Sequence, residues 1–194
     1  MSGVMCNRYT RLMVTGSAPA SSQAQVAPGD LESVRSLLNS WLIPNDSRQP
    51  TDNFDDFARA QGWRPREAAV VRDLRDDVRN VVEAGDARVL NDWIERTGIR
   101  PLVGGQSLSY QHAAGAAGDV LATVLSAISA GTWERLKACP DCHWVFYDNT
   151  RNGGKRWCLM NAGGPDGRAC GTIAKVRRYR DRQAAAGQAG RIRV

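Results

Sequence analysis

The sequence predicts an α+β protein that is mostly α, with a helical N-terminal domain carrying one small hairpin and then a short cysteine-rich module. Three observations predict it. Apolar residues recur at helical spacing through most of residues 29–132. The period switches once, to alternation, around the glycines of IRPLVGGQSLSYQH. Four of the five cysteines then gather at positions 139, 142, 158 and 170, among turn residues and basic residues.

The elements follow in order. Residues 1–28 are rich in Ala, Ser, Gln and Pro and read as a disordered lead-in. Their one apolar patch, Leu12-Met13-Val14, is too short for the core of an export signal. Asp30 can cap a first helix with Leu31, Val34, Leu37, Leu38 and Trp41 on one face, ending before Pro44. IPNDSRQPTD is a loop. A short helix from Asp52 to about Ala60 follows, with Phe54 and Phe57 one turn apart. Pro65 suits the first turn of a long helix with Val71, Leu74, Val78 and Val81 inward, and Gly85 ends it. Asp86 opens a helix with Val89, Leu90, Trp93 and Ile94 inward, closed by Gly98. After the hairpin, residues 113–129 return to helical spacing with Val120, Leu121, Val124, Leu125 and Ile128 as the core face. Residues 29–132 are thus expected to bury a core of their own, and the six tryptophans, spread over both parts of the chain, read as core residues.

Charge divides the chain at the same place. Residues 133–194 hold thirteen Lys and Arg against five Asp and Glu, and the first 132 hold thirteen against fifteen. The net charge of +6 therefore belongs to the C-terminal third, the signature of a polyanion-binding segment joined to a neutral body. No run approaches the roughly 18 apolar residues of a membrane helix. Without an export signal the expected compartment is the cytoplasm, where thiols stay reduced and disulfides are disfavoured.

The cysteines carry the chemistry. Cys139 and Cys142 form a C-x2-C knuckle. His143–Asp148 and Lys155–Cys158 bracket NTRNGG, a turn sequence, and so predict a hairpin ending on Cys158. The insert NAGGPDGRA leads to Cys170, which opens a basic helix. Three readings stand at this point. A four-thiolate zinc site, one ion per chain, supplies closure energy of about 10–16 kcal/mol that so short a segment lacks. A redox pair would use C-x-x-C alone, ordinarily within a βαβ unit, and none is visible. Unconnected core cysteines are the third. His143 is a weak substitute ligand beside Cys142, and Cys6 is read as a bystander.

The pattern C-x2-C-x-W-x-F-x-D-x-x-R-N…R-W-C-x-M…C-G…A-K-x-R-R, from Cys139 to Arg178, resembles the CGNR-type zinc finger of bacterial proteins. Its landmarks are Trp144, Phe146, Asp148, Arg151, Asn152, Arg156, Trp157, Met160, Gly171, Ala174, Lys175 and Arg177, besides the four cysteines. LLNSWLIPNDSRQPTD is similar to the opening of the ABATE domain that precedes this finger in the family. The resemblance implies an ABATE-like domain over 29–132, a treble-clef-like zinc finger over 133–184, and a flexible tail over 185–194. It further implies a stress-induced transcription regulator whose first domain is a sensor. Two departures are plain. The signature Cys-Gly-Asn-Arg reads Cys170-Gly171-Thr172-Ile173, and the gap from Cys158 to Cys170 is longer than the family's.

Function is then expected from the basic helix CGTIAKVRRYRDRQ. Lys175, Arg178 and Arg182 recur on one face beside Arg177, with Ile173 and Val176 toward the hairpin, and Arg151, Lys155 and Arg156 add charge at the turn. Guanidinium groups favour phosphate oxygens, so DNA is the expected partner; a solvated face that offsets the negative charge of a four-thiolate site accounts for the same residues. Asn39, Trp41 and Arg48, with Asp52 and Trp63, are candidates for a small-molecule pocket, although loop capping and core packing explain them equally. Homodimerisation through the body is a further expectation. A protein-interaction adaptor with a purely structural finger is the alternative. No nucleophile with a positioned base is evident, so an enzyme is not expected.

Overall fold

A computed structural model describes residues 25–44, 47–105, 107–159 and 169–191, with side chains as far as Ala184. Cys6, residues 1–24 of the expected lead-in, most of the NAGGPDGRA insert and the last three residues lie outside the described residues. The chain runs α1 (Leu31–Leu38), β1 (Trp41–Leu42), β2 (Thr51–Asp52), α2 (Phe54–Ala60), α3 (Pro65–Ala84), α4 (Val89–Thr97), β3 (Arg100–Gly104), β4 (Ser107–Gln111), α5 (Ala116–Ser129), β5 (Leu136–Ala138), β6 (Val145–Tyr147) and α6 (Cys170–Arg191). Among the described residues the strands pair as three antiparallel ribbons, β1 with β2, β3 with β4 and β5 with β6.

The helices form where their apolar stripes predict them, around a core of Leu31, Val34, Leu37 and Leu38 from α1, Val71, Leu74 and Val78 from α3, Trp93 from α4, and Leu121 and Val124 from α5. Pro65 opens α3, and Gly85, at φ 77°, ends it in the left-handed region that a side chain would strain. The N-terminus of α5 lies three residues later than its spacing suggests. Glu67 of α3 accepts a hydrogen bond from the Ala116 N–H at 3.0 Å and fixes that start from another helix. Ile128, expected in the core, is 40% exposed because α5 turns Ala127 inward instead.

Three further differences come from polar groups. The first helix ends at Leu38, short of Trp41, because Asn39 and Ser40 bond outside it. The Ser40 hydroxyl donates to Leu37 O at 2.7 Å and accepts from Arg75 at 3.1 Å, while Ser40 O accepts from Asn53 N at 2.8 Å. The chain leaves the helix there and pairs Trp41 with Asp52 in the β1–β2 ribbon. Arg75 and Arg79 are buried on the inner face of α3, beside the apolar stripe. Arg75 grips both Asp52 carboxylate oxygens, at 2.6 and 2.9 Å, and this pairing holds the Asp52 carboxyl below its usual range. Finally, residues 25–28, expected to be disordered, pack on the fold: Ala27 and Gln25 are buried, and Ala27 N donates to Glu32 at 2.8 Å.

The C-terminal hairpin is built differently from the expectation. Residues 136–138 pair with 145–147, in the register Leu136–Tyr147, Lys137–Phe146 and Ala138–Val145, so the Cys139–Cys142 knuckle is the tip of the ribbon. Residues 155–158 form no strand. The carbonyls that a second ladder would use are taken by side chains: Lys137 Nζ donates to Gly153 O and Lys155 O, and Arg135 donates to Asp148 O and Thr150 O. Leu136, Val145 and Tyr147 of this ribbon belong to the same buried cluster as the helices. The boundary placed at residues 132–133 therefore runs through one continuous core.

Candidate metal centre

Each cysteine is delivered by a separate piece of local structure. Cys139 follows β5, and its N–H donates to Trp144 O at 3.0 Å while its carbonyl accepts from His143 N at 2.8 Å. These bonds close the knuckle, with His143 at φ 57°, a left-handed conformation unusual for a side-chain-bearing residue. Cys158 comes off the loop ordered by Asp148, and its carbonyl accepts from Gln25 Nε2 at 2.8 Å. Cys170 is the first residue of α6, and the next N–H, of Gly171, donates to Leu159 O at 2.9 Å. All four are buried, and with Phe146 they form a second small cluster covered by Trp144, Trp157 and Leu159.

Their sulfurs converge. The four Sγ atoms lie within 4.8 Å of one another, with Cys142–Cys158 at 3.5 Å and Cys158–Cys170 at 3.7 Å. A disulfide needs about 2.05 Å, so these are separate thiols. A tetrahedron with Zn–S bonds of about 2.3 Å places its sulfurs about 3.8 Å apart, and the observed spacings fit it. Electrostatics points the same way. Bonds among the four thiols hold Cys139 and Cys142 below the usual thiol range, whereas Cys158 and Cys170 are pushed up by their thiol neighbours and by burial. Four thiolates can share so small a pocket only around a cation. His143 is no ligand. Its ring turns to Glu83, at 3.4 Å, and stands edge-on to Trp41.

Residues 135–183 match the model of the CGNR zinc finger family. The match starts at the head of the β5–β6 ribbon and ends within α6, and the helical body lies outside it. No curated protein and no solved structure matches the chain. The four cysteines of the CGNR finger are thus positioned as the ligands of one structural zinc, as their spacing suggested. At the departures from the signature, Thr172 is exposed and Ile173 half-buried.

The other residues singled out in the sequence fall into two groups. Asn39, Trp41 and Arg48 are brought to the finger. Asn39 pairs with Val145 as a strand would, accepting from its N–H and donating to its carbonyl, both at 2.8 Å. Arg48, at φ 54°, donates to Asp141 O at 2.8 Å, and Trp41 lies beneath Arg79 and beside His143. The basic residues stay outward. Arg151 and Arg156 are exposed, Lys155 reaches over the Phe146 ring, and Lys175, Arg177, Arg178 and Arg182 are exposed on α6. Arg177 comes within 3.8 Å of Asp141. Val176, expected against the hairpin, is 43% exposed.

Sequence reasoning missed the residues that seat the finger. Arg35 donates to Val145 O at 3.3 Å and Arg79 to His143 O at 3.1 Å. Their signal was present as arginines bordering apolar stripes, at positions the helical period turns inward. Asp148 was legible only as a motif letter. It is fully buried and accepts from Thr150 N, Thr150 Oγ1, Lys137 Nζ and Lys155 N at 2.5–3.0 Å. Burial alone would raise its carboxyl, but the bonds from Thr150, Lys137 and Lys155 outweigh it and hold the group well below the usual carboxylate range. The carboxylate's contribution to stability is therefore complete above the unfolded value of about 3.9 and is lost as pH falls through the lower folded value. Asp148→Asn is expected to cost on the order of 3 kcal/mol at neutral pH. It should also flatten the decline in stability below about pH 4, as measured by denaturant unfolding across pH.

Proposed function

We propose that the chain is a zinc-containing transcription regulator whose helix α6 docks on duplex DNA, with the helical body as a scaffold and sensor of the ABATE type. The observation that carries this reading is the surface of α6: from Lys175 to Ala184 every residue is exposed, and the run holds five cations against Asp181 alone. An exposed cationic helix gains from a polyanion by releasing its counterions. Its first turn, held at the cysteine cluster, gives the helix a fixed point of departure. A closed four-thiolate site leaves no open coordination position, so the zinc is structural and the chain is read as a non-enzyme. Among the described residues no helix is long and apolar enough to cross a membrane. Reduced thiol ligands suit a cytoplasmic protein.

An anisotropy titration of labelled duplex at two salt concentrations tests the reading. If Lys175, Arg178 and Arg182 meet phosphates, the logarithm of affinity falls with the logarithm of salt by about 0.9 for each phosphate neutralised. Arg178→Ala with Arg182→Ala should lower that slope by about 2 and weaken all duplexes alike. Unchanged affinity in the double variant, with zinc retained, would defeat it.

A second reading, a protein-interaction adaptor or homodimer, is favoured by the β3–β4 ribbon. Leu102 and Leu108 are each 46% exposed there, and Val103 is 82% exposed. Sedimentation of the chain without DNA separates the two readings. As for the sensor, an open groove of about 590 Å³ between α2 and α3, lined by Arg59, Trp63 and Arg72, offers a place for a small molecule.

A further inference from the structure

The four ligands are not attached to the molecule in the same way. Cys139 and Cys142 cap a ribbon whose Leu136, Val145 and Tyr147 lie in the body's own core. The backbone of that ribbon and its knuckle is held by Arg35, Asn39, Arg48 and Arg79. None of these contacts involves the sulfurs. Cys158 is steadied by Gln25 through its carbonyl. Cys170 belongs instead to α6, which is exposed on all sides from Lys175 to Ala184. The contacts of this helix lie in its first turns and include the Cys170 thiol, the Gly171–Leu159 bond, half-buried Ile173 and Ala174, and the loose Arg177–Asp141 pair.

We propose that the metal site is a latch for α6 alone: the body keeps the Cys139–Cys142 half of the site in place whether or not the ion is bound, and loss of the ion frees the basic helix. The consequence, that metal occupancy switches nucleic-acid binding, rests on the reading given above; the latch itself does not. The physical ground is the difference in attachment. Buried apolar contacts and bonds to main-chain groups hold the ribbon independently of the ion. The helix has no comparable face, carries like charges one turn apart at Lys175, Arg178 and Arg182, and is marginal by itself in water. On chelation under reducing conditions the ion passes to the chelator and the thiolates take up protons; no electrons move.

Hydrogen exchange read by mass spectrometry on the zinc-loaded full chain, before and after EDTA with a reductant, tests this. Peptides within 171–183 should exchange about tenfold faster or more after EDTA, while those within 136–147 stay unchanged. Cys170→Ser should show fast exchange of the helix without EDTA. Asn39→Ala, which removes two of the bonds between body and ribbon, should make the ribbon exchange faster after EDTA than it does in the natural chain. The latch is overturned if ribbon and helix lose protection together in the natural chain, or if α6 keeps its protection. A parallel duplex titration keeps the two ideas apart. Release of α6 alone, with no duplex bound by the loaded chain, upholds the latch and removes the DNA reading. Duplex binding with ribbon and helix lost together does the reverse.

Discussion

A chain ended at Thr132 is expected to lose its cooperative thermal transition, although it keeps helices α1 to α5. The cut removes Leu136, Val145 and Tyr147 from the core, and burying each such side chain contributes roughly 1.5–3 kcal/mol. It also strips Asn39, 8% exposed, of both its partners on Val145, and an orphaned buried amide costs about 1–3 kcal/mol. Those losses together rival the 5–15 kcal/mol that typically holds a domain. Circular dichroism melting of the truncated and full chains measures the effect. A sharp transition in the truncated chain, near that of the full one, would show that the helices hold a core without the ribbon, as their periodicity alone suggests.

The largest chemical effect is expected at the cysteines. Serine in place of Cys139, Cys142 or Cys158 should lower the metal content from one zinc per chain to near none. A finger's zinc is worth about 10–16 kcal/mol, and it depends on a full set of ligands. Cys6→Ser should leave the content unchanged. Because each ligand must be deprotonated, zinc should also leave as the solution is acidified, with protons taking its place. Native mass spectrometry across a pH series reads both effects. Full occupancy in any of the three variants would remove that residue from the site.

What the sequence made legible depended on the range of the forces involved. The stripes of α1, α3 and α5, the Gly85 stop and the glycine turn between β3 and β4 are local, and their periods or turn residues announce them. The four thiols were legible because metal ligands need a fixed chemistry at a few endpoints, whatever the length between them. The pairing of β5 with β6 was not. The segment Leu136–Ala138 has no alternation of its own, and NTRNGG looks like a hairpin turn until Lys137 and Arg135 are seen taking its carbonyls. Nor were the partners of Asn39 legible, since Val145 lies 106 residues away and an amide side chain carries no mark of the backbone it will meet. Arg75 and Arg79 went unremarked for a related reason. An arginine reads as solvent-facing unless its carboxylate or carbonyl partner is known.

Asn39, Arg48 and Arg79 address main-chain groups that nearly every residue possesses, so outside Leu136, Val145 and Tyr147 the ribbon is read by its course through space. The two sides of the contact therefore tolerate change unequally. A ribbon of otherwise foreign composition that kept Leu136, Val145 and Tyr147, the same knuckle and the same register should keep these bonds. The body has less latitude, because Lys in place of Arg79 forfeits the planar fork whose Nη1 donates to Leu38 O and Trp41 O while its Nη2 reaches His143 O and Glu83.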